Sequence, residues 1–257
     1  SNMYANLSVS TNTGLIDLFD KNTAGEWINT AKIVPNGANT FSFGHHLDTA
    51  VDPLATSING YAKTIAVGAP NSTGSGSTAN VGLLYIYNQA VGSTTWEQGQ
   101  IVVGNVAASG DHFGFSFAFD EFGHWLYVGA PGNDHVYVYG LDRYIPKNSA
   151  NVTVSSGTAV TVPFEPDATD DASSLLITTA TKTYIPNIDY TLSGNALTFT
   201  TAFSSSTTLA IKQQPYFKLL TTINSTDVGC PAGSEFGYAI DASLDGAQLG
   251  VGAPNAT

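Results

Sequence analysis

The residues of this 257-residue chain with most scope for chemistry are its five histidines, its single cysteine and its twenty acids. His45-His46, His112, His124 and His135 offer imidazoles for proton transfer or metal ligation, but no two share the His-x-x-x-His spacing that presents a pair to one ion. They read as turn or rim residues. Cys230 has no evident partner for a nucleophilic role, and neither a G-x-S-x-G elbow nor a phosphate-binding glycine loop occurs. Oxygen ligands for a hard cation gather in two stretches. One holds Asp48, Asp52 and Asn59; the other holds Glu165, Asp167, Asp170 and Asp171. Neither spacing matches a ligand loop, and acid-rich loops more often face solvent. Asp48, Asp52, Asp167, Asp170 and Asp171 stand as candidate ligands, with calcium as the candidate ion. Trp27 and Trp96 have faces suited to stacking on a sugar, yet they recur at one register of a repeat, which argues for packing. The expectation is a protein without catalytic residues or a bound cofactor.

Composition narrows the partners. Eight Lys and Arg stand against twenty acids, a net charge of −12, so no basic stripe is available to neutralise phosphates. Nucleic acid is excluded as an expected partner. No apolar run approaches the length of a membrane span. Ser1-Asn2 before the single Met reads as a tag remnant, and no signal peptide is visible at the start of the chain.

The elements that must position these residues come from a repeat. Three ordered pairs of motifs align: Phe43-Gly44 with Gly68-Ala69-Pro70, Phe113-Gly114 with Gly129-Ala130-Pro131, and Phe236-Gly237 with Gly252-Ala253-Pro254. In the second and third copies the Gly of the first motif and the Pro of the second are 17 residues apart, and Gly123 and Gly246 share one offset between them. The first copy is nine residues longer, and its Asn59-Gly60 fits a hairpin turn. Beside these lie outer pairs: Gly14–Phe19 with Trp27 to Ile33, Gly82–Tyr87 with Trp96 to Val102, and His135–Tyr139 with Phe217 to Ile223. In each, an aromatic precedes an aliphatic by six residues, placing both on one strand face. Each unit is thus four short strands. Several, such as Val136–Tyr139, are apolar on both faces, as suits a sheet held between neighbouring sheets.

The three copies resemble the FG-GAP repeats of the integrin α-subunit propeller and related extracellular proteins, over residues 14–144 and 216–254. Glu235-Phe-Gly-Tyr-Ala-Ile through Leu249-Gly-Val-Gly-Ala-Pro254 is similar to the form of that repeat that lacks calcium. The resemblance implies an all-β fold of about three four-stranded propeller blades. Calcium blades of the family carry Asp-x-Asp-x-Asp-Gly. Asp120-Glu-Phe-Gly123 and Asp241-Ala-Ser-Leu-Asp245-Gly246 depart from it and read as hairpin turns.

Between the last two copies the chain carries 62 residues in excess of the earlier spacing. Residues 146–214 are rich in Thr, Ser and Ala and read as strands over Asn151–Val162, Ser174–Thr179, Asp189–Leu192, Ala196–Thr201 and Thr208–Lys212. The stretch Asn187–Ile211 looks like small β modules of bacteriophage tail fibres and related virion proteins. The expected organisation is blades over 3–145, an inserted sandwich-like β module over 146–214, and blades again over 215–257. The expected function is a non-enzymatic structural or adhesion protein of a bacteriophage virion, tail- or fibre-associated. The alternative is a secreted or cell-surface bacterial adhesin or receptor ectodomain that binds protein or glycan. A propeller hydrolase or lyase is less well supported. Three inner and three outer strand pairs do not close a ring alone, so the expected partners include further blades, from a longer chain or from a second copy.

Overall fold

The structure is a computed structural model and describes residues 14–35, 41–52, 61–73, 80–105, 107–142, 148–164, 166 and 171–257. The turn expected at Asn59-Gly60 and the acids Glu165, Asp167 and Asp170 lie outside the described residues. The protein is all-β, a propeller arrangement with four blade positions, and its described helical elements are two short 3-10 turns. Position 1 holds an antiparallel pair, β1 (Ile16–Lys21) and β2 (Trp27–Ile33). Position 2 is a complete four-stranded sheet of β3 (Leu47–Val51), β4 (Tyr61–Ala69), β5 (Leu83–Ala90) and β6 (Trp96–Val102), in that order. Position 3 starts with β7 (Ser116–Phe119), β8 (Trp125–Ala130) and β9 (His135–Asp142).

The chain then leaves the propeller for a module of two sheets. Strands β10 (Ser149–Val154), β12 (Leu175–Thr178), β13 (Thr183–Tyr184) and β16 (Thr207–Gln213) form one, ordered β10-β16-β12-β13. The other is β11 (Gly157–Thr161), β15 (Ala196–Phe203) and β14 (Tyr190–Ser193). The single strand expected over Asn151–Val162 is therefore two strands in different sheets, because the chain reverses at Ser155-Ser156-Gly157, where Gly157 has φ +89°. Leu175, Ile177, Tyr190, Leu197, Leu209 and Ile211 fill the space between the sheets. The chain returns as β17 (Tyr216–Asn224), which pairs with β9 and completes position 3. Position 4 is a second isolated pair, β18 (Ala239–Ala242) with β19 (Leu249–Gly252). Four positions thus contain twelve propeller strands, the number the sequence repeat counts as about three blades.

The repeated motifs have local causes. The Phe-Gly glycines Gly44, Gly114 and Gly237 adopt φ of +88°, +78° and +92°, a region that penalises a Cβ. Their N–H groups donate to the carbonyls of Gly68, Gly129 and Gly252, tying the two motifs of each blade together. The Gly-Ala-Pro glycines answer to a different constraint. A Cβ on Gly68 would lie 2.2 Å from the Gly114 carbonyl oxygen, and one on Gly129 would lie 2.1 Å from that of Gly237. Positions 2 and 3 therefore each seat their Gly-Ala-Pro glycine against the Phe-Gly glycine of the next position, and only a hydrogen fits.

The motif phenylalanines form the hub of each complete sheet. Phe43 meets Tyr85 and Tyr87 edge-on at 5.4 and 6.2 Å, and Phe113 meets Tyr137 and Tyr139 at 5.3 and 6.3 Å. Burial on both sheet faces follows, with Leu83 to Tyr87 and Val136 to Tyr139 all buried. Each such side chain contributes about 1.5–3 kcal/mol of transfer free energy.

The module is fastened to positions 2 and 3. Ile185 joins the apolar cluster of position 2 that contains Phe43, Ile65 and Ile101. Next to the module's exit, buried Gln100 spans from β6 to β17: its Nε2 donates to Phe217 O at 3.0 Å, and Phe217 N donates to its Oε1 at 2.7 Å. An exposed ion pair at 3.2 Å, Lys212 with Glu97, adds little.

Candidate functional site

Of the candidate cation ligands, Asp48, Asp52 and Asp171 are among the described residues, the first on β3 of position 2, the second just past its end and the third in the module. Asp48 Oδ2 accepts the N–H of Phe119 from the neighbouring blade at 2.7 Å, and its Oδ1 accepts Thr49 N at 2.8 Å. Asp52 borders a small cavity between positions 2 and 3, beside Thr64, Asn88 and Gln100. Asp171, in the module, caps a 3-10 turn by accepting Ser173 N at 2.6 Å. Asp167 and Asp170 lie outside the described residues. Among the described residues no cluster of three or more His, Cys, Asp or Glu is placed to hold a metal ion.

The two turns that depart from the calcium pattern spend their carboxylates on their own backbone. Asp120 Oδ1 accepts His124 N and Trp125 N at 2.6 and 2.9 Å. Asp245 Oδ1 accepts Ser243 Oγ at 2.6 Å and Ala247 N at 3.0 Å, and these bonds hold its carboxyl below the ordinary range. Both are side-chain-capped hairpin turns.

A geometric signal appears instead at the inner end of the blades. The residue after each Phe-Gly glycine is aromatic: His45, Phe115 and Tyr238. The left-handed glycine ahead of each ring holds it at the start of the inner strand. His45 and Phe115 have centroids 4.6 Å apart, and Phe115 and Tyr238 are 4.8 Å apart, so the three rings form a continuous arc from position 2 to position 4. His45 is exposed, Phe115 half-buried, and Tyr238 45% exposed. A second tier sits just beyond, where His46 meets Phe117 at 4.5 Å. Partial burial, then the neighbouring His46 and His112, push the His45 imidazole below its ordinary pKa. His46 is also lowered by burial, with the Asp48 carboxylate and a hydrogen bond to the Phe117 backbone acting the other way. At neutral pH the arc is therefore uncharged, and it takes on charge only on acidification.

No family model matches the chain, and no curated protein matches it.

The other histidines have separate roles. His135 lies against Tyr137 at 6.0 Å and its Nδ1 contacts Asn133 O; His124 stands 5.9 Å from Phe122 at an outer turn. Of the fifteen motif residues, Phe43 and Phe113 act through the hub contacts, and Gly44, Gly114, Gly237, Gly68 and Gly129 through the turn and close-approach contacts described above. The two recurring tryptophans differ: Trp96 is half-buried and packs against the apolar cluster of position 2, as expected, whereas Trp27 is 65% exposed with Lys21 over its ring at 4.9 Å. The arc was legible in the sequence, since every Phe-Gly is followed by an aromatic ring, but that regularity is easily absorbed into the repeat.

Proposed function

We propose that this chain is a non-enzymatic structural and adhesion component of a larger assembly, built on FG-GAP blades and belonging to a bacteriophage virion as a tail- or fibre-associated protein. The observation that carries this reading is the pair of open half-blades at positions 1 and 4. In complete blades the second and third strands each have two hydrogen-bonded neighbours, whereas among the described residues β19 pairs with β18 alone and β1 with β2 alone. Open strand edges with apolar faces are sites for pairing with other strands. The registers of β4 with β5 and β8 with β9 set Ala69 opposite Leu83 and Ala130 opposite His135. Carried to the open edges, they set Ala253 opposite Leu15 and Val251 opposite Asp17. The partners are accordingly further blades, from a longer chain or from a second copy joined through a two-fold axis. The exposed aromatic arc and the module on the rim supply surfaces for a protein or glycan receptor, while the net charge of −12 gives nucleic acid no footing. The resemblance of Asn187–Ile211 to tail-fibre modules supports the virion location over the bacterial envelope.

Proteomics of purified particles from the source tests the assignment. The chain is expected among virion proteins in stoichiometric amount; its recovery only from the bacterial envelope or culture fluid would favour the adhesin reading. Sedimentation tests the open edges: self-association that Val251→Pro abolishes is expected, and a stable monomer across a dilution series, with no further blades supplied, contradicts it.

A further inference from the structure

The seam between the module and the propeller differs in kind from the seam between positions 2 and 3. Between those blades, apolar side chains and the two bonded ends of Gln100 close the gap. At the module seam, buried polar atoms lack partners among the described residues. On the propeller side these are the Tyr87 hydroxyl and Gln98 Nε2, opposite one another in the register of β5 with β6. On the module side they are Ser174 Oγ, Thr183 Oγ1 and Gln214 Nε2, from residues at most 5% exposed.

The strands explain the placement. Tyr184 turns into the module core against Phe199 and Phe203, so its neighbour Thr183 points to the opposite face. Leu176 and Lys212 share that face, because Leu175, Ile177 and Ile211 occupy the core. It lies toward β6: β12 packs there, and Lys212 reaches Glu97. The 3-10 turn Ala172–Ser174 touches β6 and β17, and Gln214 N donates to Ser174 O at 3.0 Å as the chain leaves the module.

Two apolar residues hold the seam. Ile185 and half-buried Ile188 enter the cluster that contains Tyr87 and Ile101. Asp189 shapes the turn that carries them: its Oδ2 accepts Ile185 N at 2.7 Å, and its Oδ1 accepts Lys182 Nζ at 3.1 Å. Leaving one polar group buried without a partner costs about as much as burying one aliphatic side chain returns. Five such groups against two isoleucines leave the docked pose little margin, while the module keeps a separate core of its own. The connections to the propeller lie side by side, since Asp142 pairs with Tyr216, and only Gln214 and Pro215 separate β16 from β17.

We propose that the module is a hinged arm, which releases from the propeller as a folded unit by pivoting at Gln214-Pro215, with Ile185 and Ile188 as its catch. Release wets all five polar groups and uncovers little apolar surface beyond the catch. The inference goes beyond the adhesion reading and does not rest on it.

Thiol labelling of the full chain under native conditions tests it. In a Cys230→Ser background, Thr183→Cys places a thiol in the seam, and Val160→Cys places one of similar burial in the module core. The seam thiol is expected to react about a hundredfold faster or more, at a rate insensitive to low urea, because local release exposes little surface. Ile185→Ser should speed the seam reaction about tenfold and leave the core reaction unchanged. Gln98→Leu lies outside the module and removes one unpaired group, so it should slow the seam reaction about threefold. Equal rates at the two sites, or a seam rate that neither variant moves, would mean that the seam opens only with unfolding of the module, and overturns the proposal.

Discussion

Position 3 and position 4 carry nearly the same inner-strand sequence pattern, yet they differ in how much of it is inside. Leu126 and Val128 of β8 are fully buried, while the equivalent Leu249 and Val251 of β19 are half-exposed. The outer strands show the same contrast. Tyr87 and Tyr139 are 4% and 3% exposed, whereas Phe19, at their repeat position in β1, is 50% exposed. Burial in this fold is thus conferred by the neighbouring strands, and a blade is stable to the degree that its partners are present, as in other arrays whose units contact only their neighbours. Apolar residues at the half-blades are placed for contacts that these twelve strands do not supply.

The sharpest way to break this comparison is to remove the same hub residue in two contexts. Phe113 meets two tyrosines of its own complete sheet, whereas Phe236 precedes a pair with no third strand among the described residues. Phe113→Ala is expected to cost about 3–5 kcal/mol, the range for emptying a well-packed aromatic site. Phe236→Ala should cost well under half of that. Urea unfolding of both variants checks the difference; equal losses would mean that position 4 is as fully packed as position 3.

A smaller effect tests the seam between blades. Gly129→Ala forces a Cβ to within 2.1 Å of the Gly237 carbonyl oxygen and 2.7 Å of Ser116 Oγ, so positions 3 and 4 must separate. The expected cost is about 1–3 kcal/mol, as for other overpacked sites. Gly252→Ala, at the same place in the next copy, meets only Ala239 atoms at 3.2 Å and beyond. It should lie within about 0.5 kcal/mol of the parent. If further blades are added and the arc is extended past position 4, the Gly252 variant should become as costly as the Gly129 variant.

How much of this was readable in advance follows from which contacts are local. The 17-residue motif spacing encodes a hairpin whose two strands are neighbours in sequence, so both motifs landing in one sheet was readable. The return of Phe217 to pair with the strand of Tyr139 was readable from register, despite the intervening module. Trp27 misled because equal register predicts equal burial only where equal neighbours exist. The split of Asn151–Val162 turned on Gly157, which an alternating pattern hides. The candidate acids scattered because Asp48 and Asp171 are recruited by nearby backbone N–H groups, a use that composition does not distinguish from metal ligation.

The smallest expected effect concerns protonation of the arc. His45 and His46 both have pKa values lowered in the folded state, chiefly by burial. The folded protein therefore binds protons less readily than the unfolded chain, and stability at these sites is fully present above the unfolded value of about 6.5. As pH falls below that value, the unfolded chain takes up protons first and stability declines, until the folded-state values are passed. The slope should be shallow, because His45 is exposed to solvent, and melting temperature between pH 7.5 and pH 5 is the measurement. His45→Phe should flatten part of the slope while preserving the ring contact with Phe115. The remainder belongs to His46, whose nearby Asp48 carboxylate offsets some of the burial. A melting temperature that rises on acidification across this window, and loses that rise in His45→Phe, would mean that the arc favours the charged imidazole. The two-tier aromatic cluster would then be a site preorganised for positive charge.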